Sequence, residues 1–513
     1  MTPSLPPVPG LVAVVVVTIA TLAIGTWGLR FSRTTSDFFV ASRTVRPALN
    51  ASAIGGEYLS AASFLGVAGL VLAFGADMLW YPVGWTAGYL VLLTLVAAPL
   101  RRSGAYTLPD FAEARLGSRP VRRFSSLLVV AIGWLYLLPQ FQGAGLTLRA
   151  ALGAPTWVGA VVVALVVLIN VSSGGMRSIT FVQAFQYWLK LTALLVPAVV
   201  LLGVWARQGG DSPFAGGTGS GSWAWPVRTE GAVGAGQELY LTYSLIVATF
   251  LGTMGLPHVV VRFYTNPDGR AARRTTLVVL ALLGVFYVLP PVYAALGRLY
   301  APELVAAGRT DVLVLELPRV MVPGLGGELL SGLVTAGAFA AFLSTSSGLA
   351  IAVAGVISQD VTSRPVGGRV LGGVAAFRAG AVLAVVVPCV LALLAPDLGV
   401  ARAVGLAFAV AASTFCPLLV LGIWWRGLTP AGGAAGLLVG GLGSGGAVAL
   451  TMAGIPAGGW GEVLVSQPAA WSVPLSVLTM VAVSRLRPGD VPAHADRFMV
   501  RLHTPETLPL DRG

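Results

Sequence analysis

The fold is decided by the stretch Gly55-Gly56-Glu57-Tyr58-Leu59-Ser60-Ala61-Ala62-Ser63, which lies inside the apolar run 48–75. That run is long enough to cross a bilayer, which takes about 20 apolar residues. A carboxylate at membrane depth costs at least about 2.5 kcal/mol on insertion scales, so it is usually retained for function. The two adjacent glycines predict a helix break, and membranes tolerate unwound backbone only where it is buried in protein or lines a cavity. The stretch therefore predicts an ion or substrate site inside a membrane protein.

The composition is that of a polytopic membrane protein. The 513 residues are 56% hydrophobic and 10% charged, with a mean hydropathy of +0.84, whereas soluble domains carry roughly 25% charged residues. The net charge of +12 could suggest a nucleic-acid partner, but the basic residues punctuate apolar spans and form no single basic face. Cys389 and Cys416 both fall in apolar spans, so no disulfide framework is expected.

Apolar runs of bilayer length predict an all-α protein with about 13 transmembrane helices in one domain, residues 1–486. The predicted spans are 9–29, 48–75, 78–100, 125–148, 156–172, 178–206, 238–261, 276–297, 328–357, 379–396, 400–425, 430–454 and 469–485. Residues 1–10 carry no Lys or Arg, so the first run is predicted to be a span and not a signal peptide. The polar tail 487–513 is predicted to be disordered.

The arginines fix the predicted orientation. They concentrate in alternate connecting segments, namely 30–46, 101–123, 262–274, 364–378 and the residues after 484. The positive-inside rule places these segments in the cytoplasm, so we predict a multi-pass plasma-membrane protein with its N-terminus outside and its C-terminus cytoplasmic. The Gly-, Ser- and Trp-rich segment 207–237 is predicted to be an outer loop.

A second interruption, Gly255-Leu256-Pro257, predicts a break in the seventh span. Broken helices in equivalent positions of two halves are the best sequence indication of an inverted-repeat transporter. The two breaks lie five spans apart, so the predicted repeats are 48–206 and 238–425. Residues 9–29 and 430–485 then supply extra flanking helices.

Other polar residues lie at membrane depth. Glu57 is about 14 Å from Ala48 along a helix, and Lys190, the only lysine, is about 18 Å from Ser178. Three roles stay open for Lys190: pairing with Glu57, carrying a proton, or snorkelling to the interface. The alternative for Glu57 is a neutral, hydrogen-bonded residue of a kinked helix.

Two further clusters complete the set. Ser344-Thr345-Ser346-Ser347 offers hard oxygen ligands for a small cation, although such hydroxyls also hold membrane helices together. His258 and Arg262 are one helical turn apart near the predicted inner face, where an ordinary interfacial anchor is the alternative.

These residues resemble the sodium:solute symporter family, and within it the cation/acetate permeases. The resemblance covers about 36–426, and the blocks that carry it are Gly56–Gly66, Gly174-Gly175-Met176 with Thr180–Gln183, Gly255–His258 with Arg262-Phe263, and Ala407–Ser413. It implies a LeuT-type five-plus-five inverted repeat and sodium-driven uptake of small organic solutes. It also implies a sodium site formed by carbonyls of Gly56, Leu59 and Ala341 with the hydroxyls of Ser344 and Thr345. Gln183 stands where many sodium symporters have an acid, which removes one charge near the cation path.

The sequence therefore predicts a symporter importing a short monocarboxylate (acetate, propionate or pyruvate) with sodium, the only ion or cofactor expected. Glu57, Lys190 and Gln183 would tune the coupling. Residues expected to contact the carboxylate are Tyr58, Ser60 and Ser63, with Gln142, Phe250, Thr253 and Ser413 as further cavity residues.

The alternatives are proton coupling through Glu57 or Lys190, and a sodium symporter for another solute. A sensory receptor is a further alternative, which the lack of a visible fused output domain counts against, although a partner could supply one. An intramembrane enzyme is not expected, because no catalytic pair or zinc motif lies at depth. The oligomeric state stays open.

Overall fold

The computed structural model describes residues 8–28, 41–212, 235–360, 373–395, 399–454 and 458–506. In these ranges ten helices are long and apolar enough to cross a membrane, and two bent helix pairs bring the number to twelve. One of the ten, Thr156–Arg207, is 52 residues long and reverses its backbone at Gly175 (φ 57°, ψ −159°), so it comprises two helices. The prediction of an all-helical, polytopic protein is confirmed.

The helices are numbered in chain order. They are α1 (Val8–Gly28), α2 (Pro47–Tyr58), α3 (Ala62–Phe74), α4 (Ala76–Arg102), α5 (Leu108–Leu116), α6 (Arg119–Leu152), α7 (Thr156–Arg207), α8 (Ala235–Gly255), α9 (Pro257–Phe263), α10 (Gly269–Tyr287), α11 (Leu289–Tyr300), α12 (Leu313–Met321), α13 (Leu325–Asp360), α14 (Gly373–Leu394), α15 (Val400–Trp424), α16 (Pro430–Met452), α17 (Gly459–Ser466), α18 (Ala469–Leu486) and α19 (Ala495–His503).

Helix α13 forms the centre of the bundle. It packs against α7, α6, α14, α1 and α2, and every residue from Val334 to Ser358 is buried. Small residues allow these close contacts, as is usual where membrane helices associate. At Gly337, for example, a Cβ would lie 2.4 Å from the Cβ of Ala193 on α7. The broken pair α2–α3 lies against this central helix, and α9 also contacts it.

The first break lies beyond the two glycines that were expected to cause it. Helix α2 continues through Gly55 and Gly56 to Tyr58, and the chain then bends by 70° before α3. The glycines instead admit helix α7, because a Cβ on Gly56 would lie 2.0 Å from the carbonyl oxygen of Gln183. A Cβ on Gly55 would lie 2.8 Å from the ring of Tyr187. The prediction of a break at the Gly-Gly pair is therefore wrong, because these residues serve helix packing.

The second break lies where the sequence predicts it. Helices α8 and α9 meet at a 44° bend around Leu256, between Gly255 and Pro257. Proline cannot donate a backbone hydrogen bond to the preceding turn, and it disfavours helical geometry in the residue before it. Leu256 accordingly has extended backbone angles (φ −73°, ψ 121°).

The polar tail is not disordered over its described part. Residues Ala495–His503 form α19, whose Phe498 and Leu502 side chains are buried. The ring of Phe498 packs 6.0 Å from the ring of Phe111 on α5. The expected disorder is wrong for this part, because a short amphipathic helix forms within a segment whose composition is polar. Residues 507–513 and most of the predicted loop 207–237 lie outside the described residues.

Candidate functional site

The candidate site lies where the α2–α3 break meets α7 and α13. The Lys190 side chain on α7 is fully buried and reaches the break. Its Nζ donates hydrogen bonds to the carbonyl oxygens of Gly56 and Leu59, the latter at 2.6 Å, and to Ser344 Oγ at 3.0 Å. The Lys190 nitrogen of α7 thus lies among oxygens supplied by the end of α2 and by α13.

The remaining two residues of the expected sodium site lie in the same place. The hydroxyl of Ser344 donates to the carbonyl oxygen of Ala341 at 3.1 Å. Thr345 Oγ1 donates to the carbonyl oxygen of Glu57 at 2.6 Å and so joins α13 to the last turn of α2. We call Gly56, Leu59, Ala341, Ser344 and Thr345 together the oxygen cage.

The carboxylate of Glu57 is paired with Arg262 and not with Lys190. Arg262 Nε lies 2.6 Å from Glu57 Oε2, and both side chains are at most 2% exposed. The guanidinium also donates to Thr180 Oγ1 on α7 at 2.9 Å. Gly348 on α13 leaves room for the carboxylate, because a Cβ there would lie 2.1 Å from Glu57 Oε1. The ion pair therefore joins α2, α9 and α7 beside the oxygen cage.

His258 and Arg262 do not form an exposed interfacial anchor. Both side chains are fully buried. The imidazole of His258 packs edge-on against Tyr136, with ring centroids 5.2 Å apart. The Arg262 carbonyl accepts a hydrogen bond from Asn50 Nδ2 at 3.2 Å. The interfacial alternative is wrong because the second break turns α9 into the protein interior.

Gln183 connects α7 to α13. Its Nε2 donates to the carbonyl oxygen of Ser344 at 2.8 Å. A carboxylate could not make this contact, since it is an acceptor only when ionised. The amide thus fixes the backbone of the oxygen cage without adding a negative charge.

Three of the residues expected to contact the solute, Tyr58, Thr253 and Ser63, lie at the break, and their hydroxyls are hydrogen-bonded. Tyr58 Oη lies 2.8 Å from Thr253 Oγ1 on α8 and donates to the Trp85 carbonyl at 3.2 Å. Ser63 Oγ lies 2.9 Å from the hydroxyl of Tyr287 on α10. Ser60 is also buried at the break.

Two other expected contacts lie elsewhere. Ser413 Oγ is 2.7 Å from Ser472 Oγ on α18, so it serves the packing of a flanking helix. Gln142 Nε2 donates to the carbonyls of Ala392 and Ala395 at 3.3 Å and so contacts the end of α14. Phe250 is half-buried on α8, where its backbone nitrogen faces Gly84 of α4.

Sequence reasoning missed Gln140, which lies two residues before Gln142 and on the opposite side of α6. Its Oε1 accepts a hydrogen bond from the backbone N–H of Ala61 at 3.2 Å, within the break itself. Its side chain is fully buried. A glutamine one helical turn after Tyr136 in an apolar span was a signal that could have identified it.

A group of aromatic rings around the break was also missed. Tyr58 packs against Tyr89 with centroids 4.8 Å apart, and Trp85 packs against Phe408 at 5.7 Å. The other members are Tyr136, 5.9 Å from Phe408, and Tyr287, 6.0 Å from Trp85. The spacing of Trp85 and Tyr89 by four residues indicates one helical face and could have been noticed.

The broken helix pairs and the central α13 define a fold of the LeuT type. The fold is similar to that of a Na+-coupled sialic acid symporter in a substrate-bound, outward-open state, with a TM-score of 0.68 and 14% identity over 93% of this chain and 97% of that one. It is also similar to MhsT in complex with L-phenylalanine, with a TM-score of 0.50 and 15% identity over 86% and 98% of the two chains. The chain belongs to the sodium:solute symporter family, whose pattern it matches over residues 38–440.

A sequence relative supports the same family. The uncharacterized symporter YwcA of Bacillus subtilis (strain 168) is 32% identical over 431 residues, which is 82% of each chain. The expectation of a sodium:solute symporter is thus confirmed at the level of the family.

Proposed function

We propose that this protein imports a short monocarboxylate, such as acetate, propionate or pyruvate, by alternating access, and that an inward cation gradient drives the import. Membership of the symporter family supports coupled transport of a small solute. The identity of the solute as a carboxylate, and that of the driving ion, are argued from the geometry of the candidate site.

The assignment of a carboxylate as the solute is supported by the first turn of α3. The N-terminus of a half-helix carries a partial positive charge and unpaired N–H groups, which suit an anionic group. Here Gln140 accepts from the N–H of Ala61, and the hydroxyls of Ser60 and Ser63 lie in the same turn. A carboxylate at this point would replace the Gln140 carbonyl as acceptor. The rings of the aromatic group around the break would offer apolar contacts to the short substituent of such a carboxylate.

In the transport step, the protein would change between its outward-open and inward-open forms by bending at the two helix breaks. The backbone of α2 is joined to α13 through Thr345, and the oxygen cage holds a cationic group between them. Ligands bias such a two-state equilibrium only through their differential affinity for the two states. Binding of solute and driving cation would thus favour passage from the outward-open to the inward-open form. The sequence predicts sodium as the driving cation, and a proton is the second candidate, favoured by the lysine within the cage.

The contacts on one end of the molecule support the proposed orientation in the cell membrane, with the N-terminus outside. Segments predicted to be cytoplasmic meet there. Arg115 of α5 donates to the carbonyl oxygens of Gly422 and Trp425 at 2.9 and 3.0 Å. Arg501 of α19 donates to the Arg102 carbonyl at 3.1 Å. The tail thus lies on the same side as the arginine-rich connections.

Uptake of labelled acetate into proteoliposomes tests the proposal, with sodium and pH gradients imposed separately. Unlabelled propionate and pyruvate should compete, whereas glucose and phenylalanine should not. Ser63→Ala should raise the KM for acetate, and Ser413→Ala, which removes a hydroxyl at the α18 contact, should leave it unchanged. Absence of gradient-driven acetate uptake, or equal effects of the two variants, would refute the carboxylate assignment.

A further inference from the structure

Every N–H of the Lys190 ammonium has an acceptor. The carbonyl oxygens of Gly56 and Leu59 can only accept, and the hydroxyl proton of Ser344 is directed to the carbonyl of Ala341. The Ser344 oxygen therefore accepts the third bond from Lys190. An ammonium has three donors and no acceptor, so these three contacts satisfy the charged group completely.

We infer that the Lys190 ammonium is a tethered cation that takes the place of sodium in the oxygen cage, so that the wild-type protein binds no sodium ion there. This inference rests on the proposed function for the role of the cage, and it concerns which cation fills the cage. It separates this chain from the sodium site that its family resemblance implies.

The geometry leaves no space for both cations. A sodium ion would need the carbonyls of unwound helix that serve such ions in broken-helix transporters. Lys190 Nζ lies 2.6 Å from the Leu59 carbonyl oxygen and also contacts that of Gly56, so the nitrogen takes up the space between these oxygens that a metal ion would need.

The charges beside the cage argue in the same direction. Glu57 is paired with Arg262 within 2.6 Å, so its charge is already balanced. Gln183 brings a neutral amide to the cage, where it donates to the Ser344 carbonyl oxygen. Lys190 thus supplies the positive charge that the carbonyl dipoles favour, and a sodium ion would add a second one in a buried region. Like charges in such surroundings repel strongly.

The packing explains how a lysine on α7 reaches the cage. Gly56 lets the backbone of α7 approach α2 at Gln183, and Lys190 follows Gln183 by seven residues, two turns along the same face. Tyr187 packs between them against Gly55. The α2–α7 contact is thus built from residues that together place the ammonium at the break.

Binding of radioactive sodium to the purified protein in detergent tests the inference without any solute. Wild type should show no saturable sodium binding that Ser344→Ala or Thr345→Ala removes. Lys190→Ala removes the ammonium and opens its space, so it should gain saturable sodium binding, about one ion per chain, as for a single site. Lys190→Met, which fills the space with an apolar chain, should gain none. The double variant Lys190→Ala/Ser344→Ala should lose most of the gained binding.

Two results would overturn the inference. One is saturable sodium binding by the wild type that Ser344→Ala or Thr345→Ala abolishes. The other is a folded Lys190→Ala protein that binds no more sodium than Lys190→Met. If Lys190→Ala does not fold, the wild-type measurement with Ser344→Ala still decides. Failure of acetate uptake would refute the proposed solute and leave these binding results intact, so the two failures are distinguishable.

Discussion

Replacing Arg262 by methionine leaves the Glu57 carboxylate buried without its counter-charge. The two side chains are 2% and 1% exposed, and the Nε–Oε2 distance is 2.6 Å. Removing one partner of a buried ion pair typically costs about 3–5 kcal/mol, since an uncompensated charge stays behind. We therefore expect Arg262→Met to lower the free energy of unfolding by about that amount.

Glu57→Gln should cost less, because the amide oxygen still accepts a hydrogen bond from Arg262. The double variant Glu57→Gln/Arg262→Met leaves no buried charge from this pair. Its loss of unfolding free energy should be smaller than the sum of the two single-variant losses by about 1–3 kcal/mol, as for residues in direct contact. Glu57→Gln should also weaken cation-coupled uptake while membrane insertion stays intact.

Denaturant unfolding of the purified protein in mild detergent measures these differences as a double-mutant cycle. Arg309 and Glu316 are the matched control, because they are also 2.6 Å apart but are 56% and 25% exposed. Glu316→Gln should change stability by less than about 1 kcal/mol. Additive effects of the two single changes at Glu57 and Arg262, or losses no larger than the control's, would refute the reasoning.

Three other changes test the packing and the arginine-rich end. Gly56→Ala would bring a Cβ to within 2.0 Å of the Gln183 carbonyl oxygen, so we expect loss of uptake and about 1–3 kcal/mol lower stability in unfolding measurements. Phe498→Ala should release the tail helix, which limited proteolysis would detect as faster cleavage after residue 487. Arg122→Ala should destabilise the protein at neutral pH. Burial raises the pKa of Asp110 and the Arg122 guanidinium opposes that rise, so the variant should recover stability as the pH falls through the raised pKa.

Matched controls exist for two of these changes. Gly203 on α7 has no atom near its missing Cβ, so Gly203→Ala should keep wild-type uptake and stability. Arg487 pairs with Asp490 at 4.0 Å on an exposed surface, so Arg487→Ala should show no pH-dependent stability loss. Equal behaviour of Arg122→Ala and Arg487→Ala between neutral and mildly acidic pH would contradict the role given to Arg122.

Much of the fold follows from hydropathy, because apolar runs of bilayer length have few alternatives to helices. The second break could be located to the residue, since Pro257 has a local steric effect on Leu256. The first break could not, because glycine has two uses that sequence does not separate. Gly55 and Gly56 allow either an unwound backbone or a close helix contact, and tertiary packing against α7 selects the second.

The residues of the oxygen cage could be predicted from the sequence, but the ion-pair partner of Glu57 could not. The oxygen cage could be assembled from the hydroxyl cluster and the family resemblance. The partner of Glu57 depended on how α9 turns inward, a property of the second bend and not of any residue alone. The tail helix α19 escaped detection because its two buried side chains, Phe498 and Leu502, are few within a polar segment.

The covalent attachment of the Lys190 nitrogen has an electrical consequence. An ion that enters a site from one side and leaves on the other carries its charge through the membrane field, worth about 2.3 kcal/mol per elementary charge for each 100 mV. The Lys190 nitrogen is joined to α7 by its own side chain, so the group itself does not pass between the two compartments. A cycle in which it keeps its proton would carry no charge through the field at this position, whereas a cycle in which it takes up a proton on one side and releases it on the other would carry one.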